Sequence, residues 1–83
     1  MNIKNRNMAM MEVLIKSFSE RMDCDYMRIS KNFNVVWCVV INEHKTKNIT
    51  CLDVQRLSLE LERVFGFREL ALTPTALFIM ANY

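Results

Sequence analysis

Residues 35–41 read VVWCVVI, seven consecutive residues without a charged side chain. β-branched and aromatic residues favour extended strands, so this run predicts a β-strand. Successive side chains of a strand point to opposite faces of its sheet. Because both sets of alternating side chains are apolar here, with Trp37 in one set and Cys38 in the other, the strand is predicted to be buried on both faces.

The C-terminal part of the chain repeats this pattern. Residues 76–81 read ALFIMA, and we predict a strand over 76–83. Each apolar strand follows a shorter one. Residues 26–30 precede the first, with Met27 and Ile29 on one face and a turn at 31–34, and residues 68–73 precede the second, with a turn around Pro74. The sequence therefore predicts two β-hairpins.

A helix is predicted before the first hairpin, over residues 7–23. Its apolar residues recur at spacings of three and four, which is typical of a helix packed against a core. Asn5 or Asn7 is the candidate N-cap, and the acidic residues Asp23 and Asp25 indicate the C-terminal end. The apolar stripe consists of Met8, Met11, Ile15, Phe18 and Met22. A short coiled-coil seam is the alternative use of this stripe.

The second helix has the clearest boundaries in the chain. Thr50 is a suitable N-cap, and Asp53 three residues later can complete a capping box. Gly66 stands where a left-handed residue often ends a helix, and Phe67 can then contact Leu61. The apolar stripe of this helix consists of Val54, Leu57, Leu61 and Val64.

The element order is therefore α-β-β-α-β-β in one small domain covering residues 1–83. This order predicts an α+β fold in which a four-stranded, mainly antiparallel sheet packs with two helices. The two halves share a pattern with slight residue identity, which is compatible with a structural duplication. Either both helices cover one sheet face, or one helix covers each face.

Two helices on one face would leave the other face apolar and uncovered. Large apolar patches on soluble proteins usually mark interaction sites. We therefore expect a protein–protein interaction module, either a homodimer or bound to a larger host protein, or both. The predicted interface residues are Trp37, Val39, Ile41, Phe78 and Met80.

Composition excludes several other classes. The 83 residues include one glycine and one proline, so no glycine-rich phosphate-binding loop is present. Three cysteines lack the spacing of a disulfide framework. The longest uncharged apolar run has seven residues, whereas a membrane-spanning helix needs about 20. No secretory signal pattern is seen at the N-terminus, and we expect a cytoplasmic protein without a membrane association.

No set of residues points to catalysis, a metal or a cofactor. Cys51 is the best candidate nucleophile, because it stands at a helix start after a basic loop, but no base or orienting group accompanies it. Cys24, Cys38, His44 and Cys51 lack the spacing of zinc ligands. We therefore expect no enzymatic activity, no metal and no cofactor.

Nucleic-acid binding is the alternative function. A formal net charge of +2 is low for such a protein, and acidic residues are interleaved with the basic ones. A basic N-terminal arm and a basic loop at 44–47 could nevertheless form one RNA- or DNA-binding surface. Its residues would be Lys4, Arg6, Arg28, Lys31, Lys45 and Lys47.

The composition gives one further hint about biological role. Asparagine, lysine, isoleucine and methionine are frequent, whereas glycine and proline are rare. In this respect and in length, the chain resembles small regulators or inhibitors of host complexes that phages and other mobile elements encode. The expected partner is then a host complex.

Overall fold

A computed structural model describes residues 3–31, 34–65 and 69–82, with the side chains of 3–7, 31, 34, 64, 65 and 82 left aside. The elements follow the predicted order: α1 (Ile3–Arg21), β1 (Asp25–Lys31), β2 (Asn34–Val40), α2 (Cys51–Phe65), β3 (Glu69–Leu72) and β4 (Ala76–Asn82). The α+β fold class is therefore confirmed. No helix in the described ranges is long and apolar enough to cross a membrane.

Helix α1 begins at Ile3, four residues before the predicted start. Asn5 and Asn7 therefore lie inside the helix, and the prediction that one of them is the N-cap is wrong. The helix ends as its acidic residues indicated. Asp23 has a φ of 55°, its N–H donates to Glu20 O (3.3 Å), and the next N–H donates to Ser19 O (2.8 Å). These bonds form a Schellman-type end in which an aspartate takes the left-handed position that glycine usually occupies.

Helix α2 starts with the predicted capping box. The backbone N–H and the hydroxyl of Thr50 both donate to Asp53 Oδ2 at 2.8 Å, and the Asp53 N–H donates to Thr50 Oγ1 at 3.3 Å. The helix starts at Cys51, directly after the cap. The predicted contact between Phe67 and Leu61, with Gly66 at the helix end, lies outside the described residues.

The four strands form one antiparallel sheet in the order β1-β2-β4-β3. The two apolar strands, β2 and β4, lie in the centre, and the two shorter or more polar strands form the edges. Both hairpins are as predicted, although residues 32 and 33 of the first turn lie outside the described residues. Long-range pairing of β2 with β4 joins the two hairpins into one sheet.

Both helices lie on the same side of the sheet. One core cluster contains residues of α1 and α2 together with alternate residues of β2 and β4, all at most 5% exposed. Its members are Met8, Met11, Ile15, Phe18, Leu57, Leu61, Val35, Trp37, Val39, Leu77, Ile79 and Ala81. The methionine-rich stripe of α1 is thus core, which leaves it unavailable for a coiled-coil seam. The fold has two layers, and the face of the sheet opposite the helices is not part of this core.

Candidate functional site: the outer sheet face

We call the side of the sheet opposite the helices the outer face. It consists of cross-strand rows that the register defines. One row joins Ile29, Val36 and Met80, and it ends at Glu69 on β3. None of these residues belongs to the core cluster or packs against it. The row is therefore apolar across three of the four strands and ends in a charge only at the edge.

The neighbouring row is apolar across all four strands. It joins Met27, Cys38, Phe78 and Ala71. A third row contains Val40 and Ala76 and ends at Asp25 on the opposite edge. These three rows form a continuous apolar surface, because residues opposite each other on neighbouring strands have their side chains in contact range.

Both edges of the outer face are exposed. On β1, Met27 is 52% exposed and Ile29 is 53% exposed, Val40 at the end of β2 is 36% exposed, and Ala71 on β3 is also exposed. Val36, Cys38, Phe78 and Met80 are half-buried by their neighbours in the sheet. Charged side chains described on this face are Asp25 and Glu69, which lie at diagonally opposite corners. The centre of the face therefore carries no charge among the described side chains.

The predicted interface residues are divided between the two faces. Trp37 and Val39 are completely buried beneath the helices and cannot contact a partner in this structure. Trp37 pairs with Ile79, whereas Phe78 pairs with Cys38, so the prediction that Trp37 and Phe78 share one face is wrong. The physical reason is the β2–β4 register, since a shift by one residue exchanges the faces of a strand. Of the set, Phe78 and Met80 lie on the outer face.

Ile41 also lies away from the outer face. It follows β2, its N–H donates to Thr75 O (2.9 Å), and its half-buried side chain lines an open cavity of about 560 Å³. The cavity is bounded by the 41–49 segment and by the turn at Pro74. Its lining mixes apolar residues with the polar and charged residues Glu43, Thr46, Lys47, Asn48 and Thr73.

The predicted interface set leaves out most of the apolar outer-face residues, among them Met27 and Ile29 on the edge strand β1. Their alternation with polar neighbours was evident in the sequence, but alternation alone usually indicates the core side of a strand. Here the apolar side of β1 faces outward. Tyr26 on the other side packs against the core, and Arg28 reaches Glu12 of α1. The signal that could have identified them is their register with the two-faced strand β2.

The basic residues predicted to contact nucleic acid do not converge in the described part of the chain. Arg28 Nη1 lies 3.3 Å from Glu12 Oε2 in the middle of β1. Lys45 Nζ and Lys47 Nζ lie 3.8 Å from Asp25 Oδ1 and Asp23 Oδ2 respectively, near the start of that strand. The side chains of Lys4, Arg6 and Lys31 are outside the described set. Each of the three described cations thus has a carboxylate beside it, which lowers its availability for phosphate.

The cysteines and the histidine form no metal-binding group within the described residues. Burial raises the pKa of the Cys24 thiol, and the charges of Asp23 and Asp25 raise it further, against the lowering effect of a hydrogen bond with Thr46. Cys24 is therefore a poor thiolate, as the flanking aspartates predicted. Cys51 is exposed on α2, and His44 is an exposed loop residue whose Nε2 lies 3.4 Å from Glu43 Oε1. Within the described residues, no group of three His, Cys, Asp or Glu side chains could hold a metal ion.

The chain matches no protein-family model, no curated protein and no solved structure.

Proposed function

We propose that this protein is a non-enzymatic protein–protein interaction module that binds through the outer face of its sheet. The observation that carries the proposal is the pair of apolar rows through Ile29 and Met27, which cross the sheet without a helix over them. Contiguous apolar surface on a soluble protein is costly unless something covers it, and such surfaces usually mark interaction sites. The occupant must present an apolar surface of its own, because the centre of the outer face carries no charge among the described side chains.

The helical side of the protein also exposes apolar residues, but their arrangement differs. Met10 and Val13 are 48% and 65% exposed on α1, and Leu52 and Leu59 are 53% and 62% exposed on α2. Exposed apolar residues in ones and twos on helices are common and need no partner. The outer face is distinguished from them by continuity across strands rather than by the exposure of any one residue.

A matched pair of substitutions tests the proposal. Ile29→Lys and Leu52→Lys introduce the same charge at sites of equal exposure, 53%, on opposite sides of the molecule. Lysine is well tolerated on edge strands such as β1. Circular dichroism and urea unfolding would first establish that both variants fold like the wild type.

The readout is affinity capture from the cells that naturally produce the chain, with untagged copies of the chain included among the proteins identified by mass. We expect the wild type and Leu52→Lys to retain the same bound protein, and Ile29→Lys to lose it. The proposal would be refuted if all three proteins retained the bound protein, if Leu52→Lys rather than Ile29→Lys lost it, or if no capture contained a bound protein. The narrower expectation of a regulator or inhibitor of a host complex gains support if the retained protein belongs to such a complex.

A further inference from the structure

We propose that the occupant of the outer face is a second copy of this chain, so that two sheets pack face to face with the helices on the outside. This inference rests on the proposed function and names its partner. The resulting dimer would have four layers, helix, sheet, sheet and helix. Two apolar sheet faces pack well in this way, about 10 Å apart and with strands within about 30° of alignment.

The size of the outer face fits such a dimer. Three strands of seven residues and one of four contribute to it. With a rise of about 3.3 Å per residue and a strand spacing of about 4.8 Å, the flat footprint is about 400 Å² per copy. Side chains make the accessible surface larger than this footprint, so two copies would bury on the order of 1,000 Å². That area is near the lower limit for a specific interface, so we expect a weak dimer.

The charges on the outer face are also compatible with a second copy. Asp25 lies at the start of β1, and Glu69 lies at the start of β3, on the diagonal of the sheet. A two-fold axis parallel to the strands places β1 over β3 of the other copy, so that Asp25 meets the Leu72 end of β3. A two-fold axis perpendicular to the strands places the start of β1 over its own end. Neither arrangement brings two of these carboxylates together, and two-fold symmetry is the commonest in protein dimers.

Cysteine chemistry on the wild-type protein gives a test that needs no variant. Cys38 lies in the all-apolar row, and Cys51 is exposed on α2. Trypsin would place each of the three cysteines on a different peptide, so their alkylation can be followed separately by mass spectrometry. If the dissociation constant is about 10 μM, the rate of Cys38 alkylation should fall about fourfold between about 1 and about 100 μM protein. The rate at Cys51 should stay constant.

Sedimentation or light scattering over the same concentrations provides the second readout. We expect the mass to rise from 9.8 kDa towards twice that value in the wild type and in Leu52→Lys. Ile29→Lys should remain monomeric, with a dissociation constant raised at least about tenfold. The inference would be overturned if a dimer formed but Ile29→Lys left it intact, or if Cys38 alkylation did not slow as the dimer formed. Either result would place the interface elsewhere.

Failure of the inference is distinguishable from failure of the proposed function. A wild-type protein that stays at 9.8 kDa, with Cys38 alkylation independent of concentration, overturns the dimer alone. The capture experiment then decides whether the outer face binds a different protein. The outer face loses its role altogether if that capture gives any of the refuting outcomes named above, for example if Ile29→Lys captures the same proteins as the wild type.

Discussion

Substitution of Ser19 by alanine should stabilise the fold. Ser19 is 1% exposed within α1, and its hydroxyl oxygen has no hydrogen-bond partner among the described residues. A buried hydroxyl without a partner costs about 1–3 kcal/mol relative to its solvated state. Alanine also has the better helix propensity, by about 0.5 kcal/mol. After a small loss of packing, Ser19→Ala should raise the free energy of unfolding by about 1–2 kcal/mol.

Ser17→Ala is the control, because Ser17 is exposed on the same helix and gains only the propensity difference. For a domain of 83 residues, the buried substitution should raise Tm by roughly 5–10 °C and the exposed one by roughly 2–4 °C. Urea unfolding should show a higher midpoint with an unchanged slope. Both proteins are compared at one low concentration, because any dimer would add stability that depends on concentration.

The two substitutions therefore separate the effect of burial from the effect of helix propensity. If Ser19→Ala gains no more stability than Ser17→Ala, or loses stability, the Ser19 hydroxyl has a partner in solution. The argument from an unsatisfied buried hydroxyl would then be wrong.

Three further predictions concern local features of the fold. Thr50→Ala should lower the free energy of unfolding by about 1 kcal/mol in urea melts, because it removes the N-cap of α2. The hydrogen bonds from Thr50 hold the pKa of Asp53 below its ordinary value of 3.8, so they add stability above that pH, and this stability is lost as the pH falls through the lowered pKa. In an acid titration, the difference in free energy of unfolding between the wild type and Thr50→Ala should therefore shrink. A difference that stays constant with pH would contradict this. Because the backbone of Asp23 is in the left-handed conformation, Asp23→Gly should leave the free energy of unfolding equal or higher, whereas Asp23→Val should lower it by about 1–2 kcal/mol. Identical unfolding curves for the two variants would contradict this. Because Trp37 is buried on the inner face, its fluorescence should be blue-shifted and should be identical in the wild type and Ile29→Lys at all concentrations. A change in the emission wavelength on dilution would contradict its burial.

Features with a local cause could be predicted from the sequence. The start of α2 follows from Thr50 and Asp53, which are three residues apart and whose hydrogen bonds to each other form the capping box. The end of α1 near Asp23 follows from helix electrostatics and from the tolerance of aspartate for positive φ. The predicted start of α1 is wrong because Asn5 is a good cap in isolation, whereas in the structure Ile3 and Lys4 before it already belong to the helix.

Features that depend on pairing between distant strands could not be predicted in full. The apolar character of both faces of β2 was visible in the sequence, and it correctly implied an uncovered face. Which set of residues lies on that face depends on the register of β2 with β4 and on which side the helices dock. Trp37 was therefore assigned to the exposed side, although the structure buries it, while Ile29 was left out. The sequence therefore predicts that an apolar surface exists, but not which residues form it.

The outer face also has a consequence for how this small fold is stabilised. A chain of 83 residues buries a smaller fraction of its surface than a larger domain does, and here the core lies on only one side of the sheet. If the protein remained a monomer, polar residues at positions 36, 38 and 78 would suit a solvent-exposed face better than Val36, Cys38 and Phe78. They would give β2 and β4 the alternation of apolar and polar residues that is typical of a half-solvated sheet. Apolar residues at these positions add nothing to the helix-side core. Cross-strand contacts bury these side chains only in part. Another surface would bury the rest of their apolar area and add stability, so folding and association of this chain should be thermodynamically linked.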